Sequence, residues 1–185
     1  MAGAGAGAPG PAEWTFEGGV HGKPKVSGAP GPHFNISHCE GLVACAVSHA
    51  VEIGVDVERL ERPAPLELAG HYFAAAECAL LSALPEAQRP LGFFRLWTLK
   101  EAYIKATGLG LAQTLGDFAF SFEPLRVSFA DPALGDGAAW QFRQTTIGPE
   151  THVLALAWRG APLPVDITPV ALDALLVQTA SGNAT

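Results

Sequence analysis

Cysteines and long apolar runs are scarce in this sequence, and both absences exclude classes of protein. Three cysteines occur among 185 residues, and none belongs to a CxxC pair. A disulfide scaffold or a zinc knuckle is therefore not expected. No apolar run reaches the roughly 18 residues that a membrane-spanning helix needs. The first eleven residues contain neither Lys nor Arg and do not resemble a signal peptide, so we predict a cytoplasmic protein with no membrane partner.

Positive charge is scarce as well. The 18 Asp and Glu residues outnumber the 11 Lys and Arg residues, and the net charge of −7 argues against a nucleic-acid partner. Eight of the 11 basic residues nevertheless lie between positions 23 and 105, so an anionic ligand is expected to bind in that window. Apolar residues make up 49% of the chain, which is enough for a core and excludes global disorder.

The patterns along the chain predict one α+β domain at residues 14–170. Residues 1–13 are rich in Gly, Ala and Pro and are interpreted as a linker or disordered start, and 171–185 as a C-terminal tail. Apolar alternation predicts two strands, at 42–48 and 52–58, that form a hairpin. Helices are predicted at 66–73, 75–84 and 91–107, and further strands around Phe120, Val127, Trp140 and 153–158.

Two acidic residues two positions apart, Asp56 and Glu58, lie in the second predicted strand. Side chains at i and i+2 of a strand point to the same face. Two neighbouring carboxylates suit Mg²⁺, which completes its shell with water and phosphate oxygens. The alternative is that both acids belong to the solvent-exposed face of an amphipathic strand.

The helix predicted at 91–107 carries Trp97, Glu101 and Lys105 on one face, at i, i+4 and i+8. Because the rest of this helix is strongly apolar, its charged residues are expected to have a partner or a chemical role. Glu101 could be a third metal ligand or a base, and Lys105 could neutralise a phosphate. The alternative is a surface Glu–Lys pair.

The segment at 34–38 follows a Pro-rich loop and ends in His38, which is itself predicted to lie in a loop. This histidine is the best candidate for an imidazole that titrates or binds phosphate. A nucleophilic pair with Cys39 is not expected, because adjacent residues of an extended segment point to opposite sides. Lys23 lies in a stiff Gly-Lys-Pro turn. Glu77, taken alone, is interpreted as a solvated residue of a short helix.

Together these motifs resemble the 4′-phosphopantetheinyl transferase family, and the resemblance covers about residues 14–160. It is closer to the surfactin-synthetase-activating type than to the short holo-acyl-carrier-protein synthase type, because the motif at 34–38 and the Gly-Lys-Pro segment belong to the former. The matching motifs lie at 22–24, 34–38, 53–58, 73–77, 97–105 and 108–111.

The resemblance implies an α+β fold of two similar lobes and an enzyme of polyketide, nonribosomal-peptide or fatty-acid systems. Such an enzyme moves 4′-phosphopantetheine from coenzyme A to a serine of an apo acyl or peptidyl carrier protein, with Mg²⁺, and releases 3′,5′-ADP. By similarity the metal ligands are Asp56, Glu58 and Glu101, the catalytic residues are Glu101, Lys105 and His38, and the coenzyme A-binding residues are Lys23, Ser37, His38, Lys100 and Lys105.

Two departures from the family pattern are visible. Cys39 stands where the family usually has serine, and the opening strand and helix of the first lobe are missing. We therefore expect the first lobe to be incomplete, which would leave an apolar face uncovered. This face is formed by Phe93, Phe94, Trp97 and the segment 43–57. We expect the chain either to self-associate through this face or to bind coenzyme A poorly. Two alternatives to the main hypothesis stay open: a non-catalytic module that binds carrier proteins or coenzyme A, and a short trimeric holo-synthase.

Overall fold

A computed structural model describes residues 13–19, 22–27, 31–110 and 113–171 as a mixture of strands and helices, which confirms the α+β class. The described strands are β1 (Phe16–Gly18), β2 (Pro24–Val26), β3 (His33–Cys39), β4 (Leu42–Ser48), β5 (Ile53–Arg59), β6 (Phe118–Phe122), β7 (Leu125–Phe129), β8 (Trp140–Ile147) and β9 (His152–Arg159). The described α-helices are α1 (Ala69–Tyr72), α2 (Ala75–Ala83) and α3 (Arg89–Thr107). The predicted linker and tail lie almost wholly outside the described residues.

The long helix α3 organises the fold. A proline in its first turn suits the helix start, and the helix ends because Gly108 adopts the left-handed conformation, with φ 70°. Eleven of its residues are buried, so it is apolar around most of its circumference. Among the described residues, no helix is both long and apolar enough to span a bilayer.

One face of α3 lies against a three-stranded antiparallel sheet with the order β5-β9-β8. Successive residues of β9 point to opposite faces of this sheet. Val153, Ala155 and Ala157 join the aromatic core around α3, whereas Leu154, Leu156 and Trp158 join a second core with β4 and β5. The central strand is thus buried on both sides.

The predicted hairpin between 42–48 and 52–58 is wrong. Strand β4 pairs with β3 through the turn at Gly41, whose φ of 84° favours glycine, and β5 pairs with β9 instead. After β4 the Ser48 hydroxyl accepts hydrogen bonds from the backbone N–H groups of Ala50 and Val51, both at 3.2 Å. This local turn leads the chain into a different sheet rather than back along β4.

The predicted exposed apolar face is also wrong for two of its residues. Phe93 and Phe94 are 1% and 0% exposed and belong to the protein's own core. Exposed large apolar side chains include Ile36, Val43 and Val47 on β3 and β4, and Tyr72 and Leu91 on the helices. Self-association stays a prediction.

Gly54 allows β5 to approach α3 closely. A Cβ atom at this position would lie 2.0 Å from the carbonyl oxygen of Ala102 and 2.5 Å from the backbone nitrogen of Ala106. Both contacts are with helix backbone, which a side-chain rotation cannot relieve. Residues 54 and 56 therefore face the helix. The alternative interpretation, in which this side of the strand is solvent-exposed, is wrong for Asp56, which is buried.

We expect Gly54→Ala to lower the free energy of unfolding by about 1–3 kcal/mol, because the strand and the helix must separate to admit the methyl group. Urea denaturation measures this change. The control is Gly70→Ala in α1, where an added Cβ meets no atom within 4 Å and where alanine favours the helix by about 1 kcal/mol. Equal stability of Gly54→Ala and the wild type would contradict the close approach.

Candidate active site

Three polar side chains from three elements meet where β3, β5 and α3 come together. Oδ1 of Asp56 accepts hydrogen bonds from Ser37 Oγ at 2.8 Å and from Lys105 Nζ at 2.6 Å. Lys105 Nζ also donates to Ser37 Oγ at 3.1 Å. Asp56 is 5% exposed, yet its Oδ2 has no hydrogen-bond partner among the described residues. A buried carboxylate oxygen without a partner needs an explanation, and a bound cation would supply one.

Strand β3 reaches this site through side chains rather than through a backbone ladder to β5. Oδ1 of Asn35 accepts the backbone N–H of Val55 at 2.8 Å, and Oγ of Ser37 accepts that of Val57 at 3.3 Å. Asn35 and Ser37 are both buried. They satisfy the free edge of β5 and fix Ser37 beside Asp56.

The carboxylates here lie in an environment that disfavours their charge. Burial raises the pKa of Asp56, and the attraction of Lys105 and the hydrogen bond from Ser37 oppose that rise. Burial and the nearby charge of Asp56 raise the pKa of Glu101, one helical turn before Lys105. The site therefore gains from any additional cation that approaches both acids.

Two neighbouring cavities share Glu101 and Lys105. The larger, of about 410 Å³, is lined by Ile36, Ser37, His38, Asp56, Val57, Glu58, Trp97, Glu101 and Lys105. The smaller, of about 300 Å³, is lined by Gly22, Lys23, Asn35, Glu101, Ile104, Lys105, Gly108, Gly110, Gln113 and Leu115. The structure thus brings together all the predicted site residues except one around these two cavities.

Lys23 is held in place at the smaller cavity. Its Nζ donates to Glu52 Oε2 at 2.7 Å and to the carbonyl oxygen of Ile53 at 3.0 Å. Glu52 also lies 3.0 Å from Nδ1 of His33. The lysine is thereby oriented by the start of β5, although it precedes that strand by 30 residues.

His38 occupies a different element from the one predicted. The segment 34–38 lies within strand β3, not in a loop, because it pairs residue by residue with β4. The His38 side chain is exposed and lines the larger cavity. Burial raises the pKa of the Cys39 thiol, which agrees with the expectation that this cysteine is not a nucleophile.

Lys100 does not reach the cavities, so its prediction as a coenzyme A-binding residue is corrected. Its side chain is 0% exposed and its Nζ lies 2.7 Å from Glu77 Oε2. The same ammonium donates to the carbonyl oxygens of Leu115 and Phe118 at 2.7 and 2.6 Å. All three of its hydrogens thus have protein partners. Glu77 is equally buried and is not the solvated residue that the sequence predicted.

A comparison with known protein families decides the family of the chain. Residues 52–157 match the family model of the 4′-phosphopantetheinyl transferase superfamily. The chain belongs to this superfamily. The match begins just before β5 and ends within β9, so it contains Asp56, Glu58, Glu101 and Lys105. The resemblance stated from the motifs is confirmed.

Curated members of the superfamily align with much of the chain. The chain is 48% identical over 81 residues to the 4′-phosphopantetheinyl transferase HetI of Nostoc sp., covering 43% of this chain and 34% of that protein. It is 37% identical over 99 residues to Sfp of Bacillus subtilis, covering 54% and 43%. It is 31% identical over 166 residues to ffp of Bacillus subtilis, covering 89% and 72%. The chain spans about a third to a half of several of the relatives it matches.

The transferase superfamily implies Mg²⁺, and the donors in this chain fit that ion in chemistry. Asp56, Glu58 and Glu101 line one cavity and offer only oxygen ligands, and Oδ2 of Asp56 is buried without a partner. Among the described residues, however, no group of three His, Cys, Asp or Glu lies close enough together to hold a metal ion by itself. Phosphate oxygens of a substrate would have to complete such a site.

Sequence reasoning did not assign the roles of two residues at this candidate site. Asn35 bridges β3 to β5, and its spacing of two from Ser37 on a strand could have indicated a shared face. Arg62 pairs with Glu58, and their spacing of four was visible in the sequence. A spacing of four predicts a contact only on a helix. Because Glu58 lies near the end of a strand, the spacing did not predict its contact with Arg62.

Proposed function

We propose that this chain catalyses transfer of 4′-phosphopantetheine from coenzyme A to the serine of an apo acyl or peptidyl carrier protein. The serine oxygen forms a bond to the β-phosphorus of coenzyme A, the bond to the bridging oxygen breaks, and 3′,5′-ADP leaves. This proposal rests on membership of the superfamily and on one observation above all. Buried Asp56, with one unpartnered oxygen, lies against Lys105 at a cavity that Glu101 also lines.

The acids and the lysine have distinct proposed roles. Asp56, Glu58 and Glu101 would hold Mg²⁺, which when bound neutralises charge on the diphosphate. Glu101 lines both cavities, and its proposed second role is to accept the proton of the attacking serine. The proposed role of Lys105, which lies 2.6 Å from Asp56, is to neutralise the negative charge that develops on the phosphate of the leaving 3′,5′-ADP.

The remaining proposed contacts are with the phosphates of coenzyme A. His38 is exposed at the larger cavity, Lys23 lines the smaller one, and the Ser37 hydroxyl lies between Asp56 and Lys105. Lys23 and His38 can donate hydrogen bonds to anionic oxygens. The Ser37 hydroxyl donates its single proton to Asp56, so it would contact a phosphate only by releasing that bond. His38 is proposed to bind phosphate and not to form a covalent intermediate.

Intact-mass spectrometry of an apo carrier protein tests the proposed function. The full chain is incubated with coenzyme A, Mg²⁺ and the carrier, and we expect the carrier to gain the mass of one phosphopantetheine. Omission of Mg²⁺ with a chelator present should prevent the gain. An unchanged carrier mass, with coenzyme A or carrier still bound, would instead support a non-catalytic binding module.

We expect Lys105→Ala to lower kcat about 10²- to 10³-fold with a smaller change in KM, because an oriented cation at developing charge stabilises the transition state by roughly 2.7–4 kcal/mol, by analogy with oxyanion donors. Steady-state kinetics with varied coenzyme A separates the two constants. The control is Lys25→Ala, since Lys25 forms an exposed pair with Glu17. An unchanged kcat with only a raised KM would contradict the role of Lys105.

A further inference from the structure

Glu58 is engaged by a protein cation. Arg62 Nη2 lies 2.8 Å from Glu58 Oε2, and the Glu58 side chain is 16% exposed. The guanidinium carbon of Arg62 also lies 4.7 Å from the centroid of the Phe94 ring, which is fully buried in α3. The arginine is thus held from two sides, by the carboxylate and by the face of an aromatic ring.

The same arrangement occurs at the neighbouring acid. Lys105 is paired with Asp56 at 2.6 Å, so two of the three acids at the larger cavity each carry a protein cation. A divalent ion and a guanidinium compete for the same carboxylate oxygens. Glu58 can therefore turn both oxygens toward a metal only when Arg62 gives up its contact.

We propose that Arg62 is a positioning residue that holds Glu58 through an ion pair and exchanges this carboxylate with a divalent cation while its guanidinium stays over Phe94. This inference rests on the proposed function, because it takes Glu58 as a metal ligand. It adds a residue that lies at the edge of the site and is 43% exposed.

The structure makes this exchange physically easy. A partly exposed ion pair contributes little net stability, so a divalent ion can displace it. The stacking contact with Phe94 does not involve Glu58 and persists after the exchange. Pro63 follows directly and disfavours a helical backbone at residue 62.

Mn²⁺ binding to the full chain tests the proposal. Electron paramagnetic resonance measures free Mn²⁺ during titration of the wild type and Arg62→Gln, each with coenzyme A present. We expect Arg62→Gln to bind Mn²⁺ about two- to fivefold more tightly, because the competing pair is lost. The matched control is Arg59→Gln, which removes the same charge from an arginine that contacts Glu40 and Glu61 instead of Glu58.

A second pair of variants isolates the contact itself. In a Glu58→Gln background, Arg62→Gln should change the Mn²⁺ affinity no more than Arg59→Gln does, because the carboxylate for which Arg62 and the metal compete is gone. If the Arg62→Gln variant bound Mn²⁺ no more tightly than the Arg59→Gln variant, the inference would be overturned. Absence of Mn²⁺ binding to the wild type with coenzyme A would instead overturn the proposed metal site, and the two failures are therefore distinguishable.

Discussion

An Asp56→Ala variant is expected to lose phosphopantetheine transfer entirely while it keeps the wild-type fold. Asp56 is the point where β3, β5 and α3 meet, through Ser37 and Lys105. Its second oxygen has no partner among the described residues. Alanine offers neither an oxygen ligand for the metal nor an acceptor for Lys105. Metal binding and the orientation of Lys105 should therefore be lost together.

Loss of this carboxylate should cost little stability. Because burial raises the pKa of Asp56, the folded state holds the ionised form less favourably than the unfolded chain does. The contribution of the group to stability is present at low pH and is lost as the pH rises through the raised pKa. The free energy of unfolding of Asp56→Ala should therefore lie closest to that of the wild type at neutral pH. Lys105, which loses its partner in this variant, is 27% exposed and can be solvated by water.

Intact mass of the carrier protein and circular dichroism of the enzyme measure the two halves of this prediction. Asp56→Asn keeps the shape but not the charge and should be similarly inactive. The control is Glu61→Ala, which removes an exposed acid shortly after β5 whose ion pair is with Arg59. Activity near that of the wild type in Asp56→Ala would exclude the proposed site.

Local patterns predicted most elements of this fold because each element has its own periodicity. The helix at 91–107 was recognisable from its apolar content and from Gly108, which ends it. The strand at 52–58 was recognisable from alternation, but the burial of Asp56 was not. That burial depends on Gly54, which lets α3 approach the face of the strand that carries the polar residues.

The orientation of α3 could not be derived from its sequence. A helix that is buried on most sides has no clear apolar stripe, so adjacent charged residues could not be assigned to different surroundings. Glu101 faces the cavities, whereas Lys100 enters the core between α2 and the start of β6. The partner of Lys100 is 23 residues away in sequence, and only the tertiary structure brings Glu77 to it.

The Glu77–Lys100 pair connects three parts of the structure inside the core. Glu77 accepts the backbone N–H of Ala74 at 2.9 Å and that of Phe120 at 2.9 Å. Lys100 lies 4.3 Å from the centroid of the Phe118 ring. Burial raises the pKa of Glu77 and lowers the pKa of Lys100, so desolvation outweighs their mutual attraction. Such a pair is costly to break although it is not strongly stabilising in itself.

We expect Lys100→Met to lower the free energy of unfolding by about 3–5 kcal/mol, because it leaves the Glu77 carboxylate buried without its cation. The carbonyl oxygens of Leu115 and Phe118 also lose their donor. Urea denaturation at neutral pH measures the loss. The control is Lys25→Met, whose exposed pair with Glu17 should contribute at most about 1 kcal/mol.

The pH dependence and a second substitution separate the unpaired charge from a simple packing defect. In Lys100→Met the folded-state pKa of Glu77 lies further above its unfolded value, so the stability that its neutral form provides is present at low pH and is lost as the pH rises. The deficit relative to the wild type should therefore shrink between pH 7 and pH 5. Adding Glu77→Gln, which keeps an acceptor for Phe120 but removes the charge, should recover part of the loss at pH 7. A deficit that is independent of pH and adds to that of Glu77→Gln alone would mean that Lys100 stabilises the core by its volume, and that its ion pair is incidental.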